Sequence, residues 1–129
     1  MRSVSAFLMV GSALALGVLG MICLFFPDEV APAVGVAGEA AITIQVVAGG
    51  LLALAILNWM GRTAIYGGIY GRPIVMANLT MGTVSGLSAI RVAGSSEGSS
   101  SMWLLAVLFL TQAAAFGTLM WFGPWEKRP

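Results

Sequence analysis

Hydrophobic positions in this chain fall into long blocks, not into alternating or widely spaced patterns. Four blocks run almost free of charge: Val4 to Phe26, Ala40 to Met60, Ile74 to Val92 and Met102 to Phe122, with Arg91 near the end of the third as the one exception. Each is close to the ~20 residues that cross ~30 Å of hydrocarbon at ~1.5 Å per residue of helix. A backbone in lipid must pair its own amides and carbonyls, so each block is predicted to be a helix. The alternation that marks a membrane β-barrel strand is absent. The pattern predicts an all-α fold, an integral membrane four-helix bundle. It forms a single transmembrane domain over 1–129, with helices at about 4–26, 40–60, 74–92 and 102–122.

The first block begins with a basic residue, as a signal peptide does. Its apolar stretch exceeds the usual ~7–15 residues, and it ends on bulky Leu24, Phe25 and Phe26 where a peptidase wants small side chains. It is expected to be a retained helix. Of the connections, 27–39 contains proline and glycine that prevent a long helix, although its Val and Ala residues suit a membrane surface. The segment 93–101, AGSSEGSSS, has the composition of a flexible linker.

Composition strengthens the membrane assignment. The chain is 59% hydrophobic and 9% charged, where a soluble domain carries about 25% charged residues. With the N-terminus in the cytoplasm, Arg2, Arg62, Arg72, Lys127 and Arg128 lie inside and only Arg91 lies outside. The positive-inside rule therefore predicts cytoplasmic N- and C-termini. Trp59, Trp121, Phe122 and Trp125 then stand at the inner interface and Trp103 at the outer one, where such rings settle. No basic tract suggests nucleic acid.

Candidate chemistry is sparse. The chain has no histidine, which removes imidazole from haem, zinc or triad roles, and no Asp, Glu or Lys lies within a span. No paired carboxylates or activated nucleophile are present, so neither enzymatic activity nor a cofactor is expected. Cys23 is the sole cysteine and reads as a small buried group. Gln45, Thr83 and Gln112 are polar positions inside spans. They read as hydrogen-bonding glue, with Thr83 placed to serve Gln112, or as the lining of a polar pathway. Small residues four apart mark smooth faces for packing: Gly82 and Gly86 in the third block, Ala13 and Gly17, Gly49 and Ala53, and Ala113 and Gly117 in the others.

The segment GRTAIYGGIYGRP, residues 61–73, joins the second and third blocks. Antiparallel helices need only ~2–8 residues to connect. This longer segment carries Arg62, Tyr66, Tyr70 and Arg72, with Asn58 and Asn78 on its flanks at similar depth. Three readings stay open: an interfacial cap, a lipid-headgroup or anion site with the arginines as clamps and the tyrosines as donors, or a contact surface for a partner. The stretch LNWMGR followed by GGIYGRPIVMANL resembles a pattern in small bacterial integral membrane proteins of four predicted helices. Many of those carry a histidine pair shortly after the asparagine matching Asn78, where this chain has Thr80-Met81. The resemblance implies a multi-pass protein of a bacterial inner membrane and supplies no reaction. The expected role is a non-catalytic accessory or scaffolding subunit packing against membrane lipids, another membrane protein or a second copy. The alternative is a small-solute or lipid-handling protein with a headgroup site at 61–73.

Overall fold

The computed structural model describes residues 2–36, 41–63, 71–95 and 98–122. Among these residues the fold is all-α, with five helices: α1 (Arg2–Phe25), α2 (Pro27–Ala33), α3 (Ala41–Gly61), α4 (Gly71–Ala93) and α5 (Ser100–Phe122). All but α2 are long and apolar enough to cross a membrane. Each long helix buries one seam spaced three or four residues apart. In α1 the seam is Met9, Ala13, Leu16, Gly20 and Cys23, and in α4 it is Val75, Asn78, Gly82, Gly86, Ala89 and Ala93. This spacing keeps one stripe facing its neighbour along the whole length, as in a coiled coil. The opposite faces expose large apolar side chains such as Phe7, Val46, Leu104 and Trp121. In water such a surface would aggregate; in a bilayer it is the solvated face.

The helices associate as two tight antiparallel pairs, α1 with α3 and α4 with α5, and the pairs touch each other sparsely. Glycine is required at the α4–α5 seam. A Cβ on Gly82 would lie 2.7 Å from the Phe109 carbonyl oxygen and 2.8 Å from the Ala113 nitrogen, and one on Gly86 would lie 2.7 Å from Leu110 Cδ2. In the α1–α3 pair the close approach is at Gly20, against Leu52 and Leu51. The expected stripe of Gly49 and Ala53 points outward instead: both are exposed, and nothing lies within 4 Å of a Cβ on Gly49. Helix α3 packs through Ile44, Ala48, Leu51, Ala55 and Asn58. The buried small residues of α3 are Ala48, Ala55 and Gly61, on the face that also carries leucine and isoleucine.

The 27–36 segment forms only a short helix, in keeping with its proline and glycine content. Pro27 opens α2, where its missing N–H is no loss, and Asp28 and Glu29 occupy the first turn, where the helix dipole favours acids. Gly35, at φ 73°, ends it in a Schellman motif: Val36 N–H donates to the Ala31 carbonyl at 2.8 Å and Gly35 N–H to Pro32 at 3.1 Å. Ala31 is buried in the core cluster with Leu16, Ile44 and Leu51, while Val30 and Val34 pack against it. Ser99 Oγ donates to the Ala33 carbonyl at 2.9 Å, tying the entry to α5 onto α2.

Candidate functional site

Four polar side chains, one from each long helix, meet at one level of the bundle. Asn58 of α3 and Asn78 of α4 pair reciprocally: Asn58 Nδ2 donates to Asn78 Oδ1 at 2.7 Å, and Asn78 Nδ2 to Asn58 Oδ1 at 2.6 Å. Asn58 Nδ2 also donates to Ser12 Oγ of α1 at 2.9 Å, and Gln112 Nε2 of α5 donates to Asn78 Oδ1 at 2.9 Å. The second hydrogen of Asn78 Nδ2 goes to the Ile74 carbonyl at 2.8 Å. Both asparagines are 0% exposed and Gln112 is 7% exposed. Among the described residues no buried polar side-chain atom lacks a partner. The layer separates two apolar clusters, one containing Leu16, Leu51, Leu54 and Phe109 and the other Met9, Val75, Phe116 and Leu119. An amide in hydrocarbon without a partner costs several kcal/mol by transfer to an apolar solvent. The four helices thus have a strong reason to align at this level.

The arrangement revises several sequence expectations. In one of the three readings of the 61–73 segment, Asn58 and Asn78 stood beneath a headgroup or anion site. All four of their amide hydrogens are instead committed within the layer or to Ile74, which leaves none for an anion. Gln112 pairs with Asn78 and not with Thr83, which is exposed on α4. Gln45 is also exposed, so Gln45, Thr83 and Gln112 do not converge on a polar pathway. Gly82 and Gly86 face α5 within the chain. Ser12 is the residue that sequence reasoning missed. Its signal was present, since it is the only polar side chain between Ala6 and Ile22.

At the end of the bundle carrying the 61–73 segment, Arg62 stacks over the Trp59 ring at 4.3 Å and its Nη1 donates to the Trp59 carbonyl. A cation there complements the carbonyl end of α3. Arg72 is exposed in the first turn of α4, where the dipole disfavours a cation. Tyr66 and Tyr70 lie outside the described residues, and with them the geometry of the proposed clamp.

Two openings flank the polar layer. Toward α2, the two helix pairs diverge around an apolar cleft of about 1000 Å³, walled by residues such as Leu19, Val47, Leu51, Leu105 and Phe109. Its few polar positions are Glu29, Ser85, Ser88 and Ser101. A smaller groove of about 430 Å³ runs between α1 and α5, with Gly11, Ala15, Val107 and Phe116 on its walls and Ser12 and Gln112 among its lining. No group of three His, Cys, Asp or Glu side chains suited to a metal occurs among the described residues. No family model, curated protein or solved structure matches this chain.

Proposed function

We propose that this protein is a non-catalytic accessory protein of the membrane that holds lipid in the cleft between its two helix pairs. The observation that carries the reading is the cleft's extent. Its walls come from the α2-side halves of all four long helices, and it stops where the polar layer draws them together. On α5 it runs from Ser101 to Phe109, about 12 Å at ~1.5 Å per residue. That is about the depth of one leaflet of a ~30 Å hydrocarbon core. A lipid chain fits that depth.

The test is native mass spectrometry of protein released in mild detergent. Val47→Trp places bulk in the cleft, and Val46→Trp places the same bulk on the outward face, where Val46 is 70% exposed. Wild-type protein and Val46→Trp are expected to carry a lipid adduct that Val47→Trp loses. Equal adducts on both variants, or a stoichiometric protein in place of lipid, would sink the reading.

The proposed setting is a bacterial inner membrane with both termini cytoplasmic, supported by the five-to-one split of basic residues between the two sides. Cysteine introduced at Thr63 should react with a membrane-impermeant reagent only from the cytoplasmic side, and cysteine at Ser95 only from the other. Reaction of both from one compartment would overturn this topology.

A further inference from the structure

The α1–α5 groove differs from the cleft in carrying part of the buried amide layer on its lining. Apolar walls confer little preference inside a bilayer, because lipid tails are as apolar as leucine. Only a polar group held within apolar walls can select one membrane-dissolved molecule over the bulk lipid. This groove has such a group on its lining, near the middle of both helices.

Gln112 is more than nine-tenths buried and lines the groove. Its Nε2 is engaged with Asn78, while no hydrogen bond reaches its Oε1. Since no buried polar side-chain atom among the described residues lacks a partner, Oε1 opens to the surface that Gln112 lines. Ser12 lines the same groove; its Oγ accepts from Asn58, and no bond from its hydroxyl hydrogen is present. The two positions are joined through Asn58 and Asn78 by contacts of 2.9, 2.7 and 2.9 Å, which hold both side chains in place before any ligand arrives. The groove therefore presents an acceptor and a donor fixed by packing; the one other polar side chain on its lining, Thr111, already gives its hydroxyl hydrogen to the Val107 carbonyl.

We infer that the groove between α1 and α5 is a binding site for a lipid alcohol, an apolar body carrying a single hydroxyl. The hydroxyl donates to Gln112 Oε1 and accepts from Ser12 Oγ, while Phe7, Leu8, Val107 and Phe116 contact the apolar body. A charged headgroup is excluded by the depth of the polar pair and by the absence of any charged side chain on the lining. A plain hydrocarbon fits the walls but leaves both polar atoms unanswered, as it would in bulk lipid. The groove adjoins the cleft, with Leu104 and Leu108 on both linings, but Ser12 and Gln112 line the groove alone, and the site does not depend on the lipid-holding role proposed for the cleft.

The test uses the full chain in lipid nanodiscs and two photoreactive probes, a long-chain alcohol bearing a diazirine and the matching hydrocarbon without the hydroxyl. Labelling of α1 and α5 by the alcohol is expected to exceed labelling by the hydrocarbon about ten-fold, equivalent to about 1.4 kcal/mol. Gly11→Phe adds bulk to the groove wall at a position where, chain neighbours aside, nothing lies within 4 Å of a Cβ. It should abolish alcohol labelling, and Gln112→Met should lower it to the hydrocarbon level. Equal labelling by the two probes overturns the inference, as does labelling that survives Gly11→Phe. Loss of alcohol labelling in Val47→Trp but not in Gly11→Phe would place the alcohol in the cleft. That outcome rejects this site and leaves the cleft reading intact.

Discussion

Asn78 is the residue on which the polar layer turns. Its side chain makes two contacts with Asn58, one with Gln112 and one with the Ile74 carbonyl. Asn78→Leu removes all of these and leaves the Asn58 and Gln112 amides short of partners in an apolar interior. The expected loss is about 2–4 kcal/mol, in line with the cost of orphaned amides and modest polar contacts in membranes. Unfolding in mixed detergent and denaturant measures it. Asn58→Leu combined with Asn78→Leu should cost less than the sum of the single changes, because both sides of the pair become apolar together. Strict additivity would mean that the two amides act independently. The asparagines stood out in the sequence as polar residues at matching depth. Which way they face was not legible, because an amide beside a basic segment suits a headgroup and another amide equally well.

At the scale of the helices, the two pairs owe their closeness to particular small residues. A methyl group at Gly82 meets main-chain atoms of Phe109 and Ala113 that cannot move without shifting α5. At Gly86 the nearest atoms belong to the Leu110 side chain, which can partly rotate away. At Gly49 there is open space. Gly82→Ala should therefore destabilise the bundle by about 1–3 kcal/mol, the usual range for overpacking, and Gly86→Ala by less. Gly49→Ala should be neutral or stabilise α3 by up to about 1 kcal/mol. Thermal unfolding of the three variants checks the order, and a Gly49→Ala loss matching that of Gly82→Ala would contradict the packing described. Helix number, length and the Gly82/Gly86 stripe were legible, since block length and small-residue spacing report them directly. The packing face of α3 was not. Gly49/Ala53 and Ala48/Ala55 are both small-residue pairs, and only the neighbours of the second pair bury it. Helix α2 was legible only as the absence of a long helix; that Pro27 occupies an opening position and Gly35 closes a short element was not.

Viewed whole, the chain divides near the 61–73 segment into two halves of two long helices each, and each half packs mainly within itself. The halves join through the amide layer, with Phe109 reaching from α5 into the α1–α3 cluster and Ser99 bonded to Ala33. Residues 1–63 and 64–129 expressed as separate chains should find each other in the membrane and copurify, and Asn78→Leu in the second chain should sharply reduce that recovery. Failure of the wild-type halves to associate would count against the layer as the joint. The joint's position has a mechanical result. A fastening on the 61–73 side of the cleft, with the helix pairs diverging toward α2, has the layout of a clothes-peg, whose jaws can widen while the amides stay gripped. Under the lipid-holding reading, bulky and slender chains would be admitted at similar cost, and the molecule's width on the α2 side would follow its occupant while its width at the amide layer stays constant.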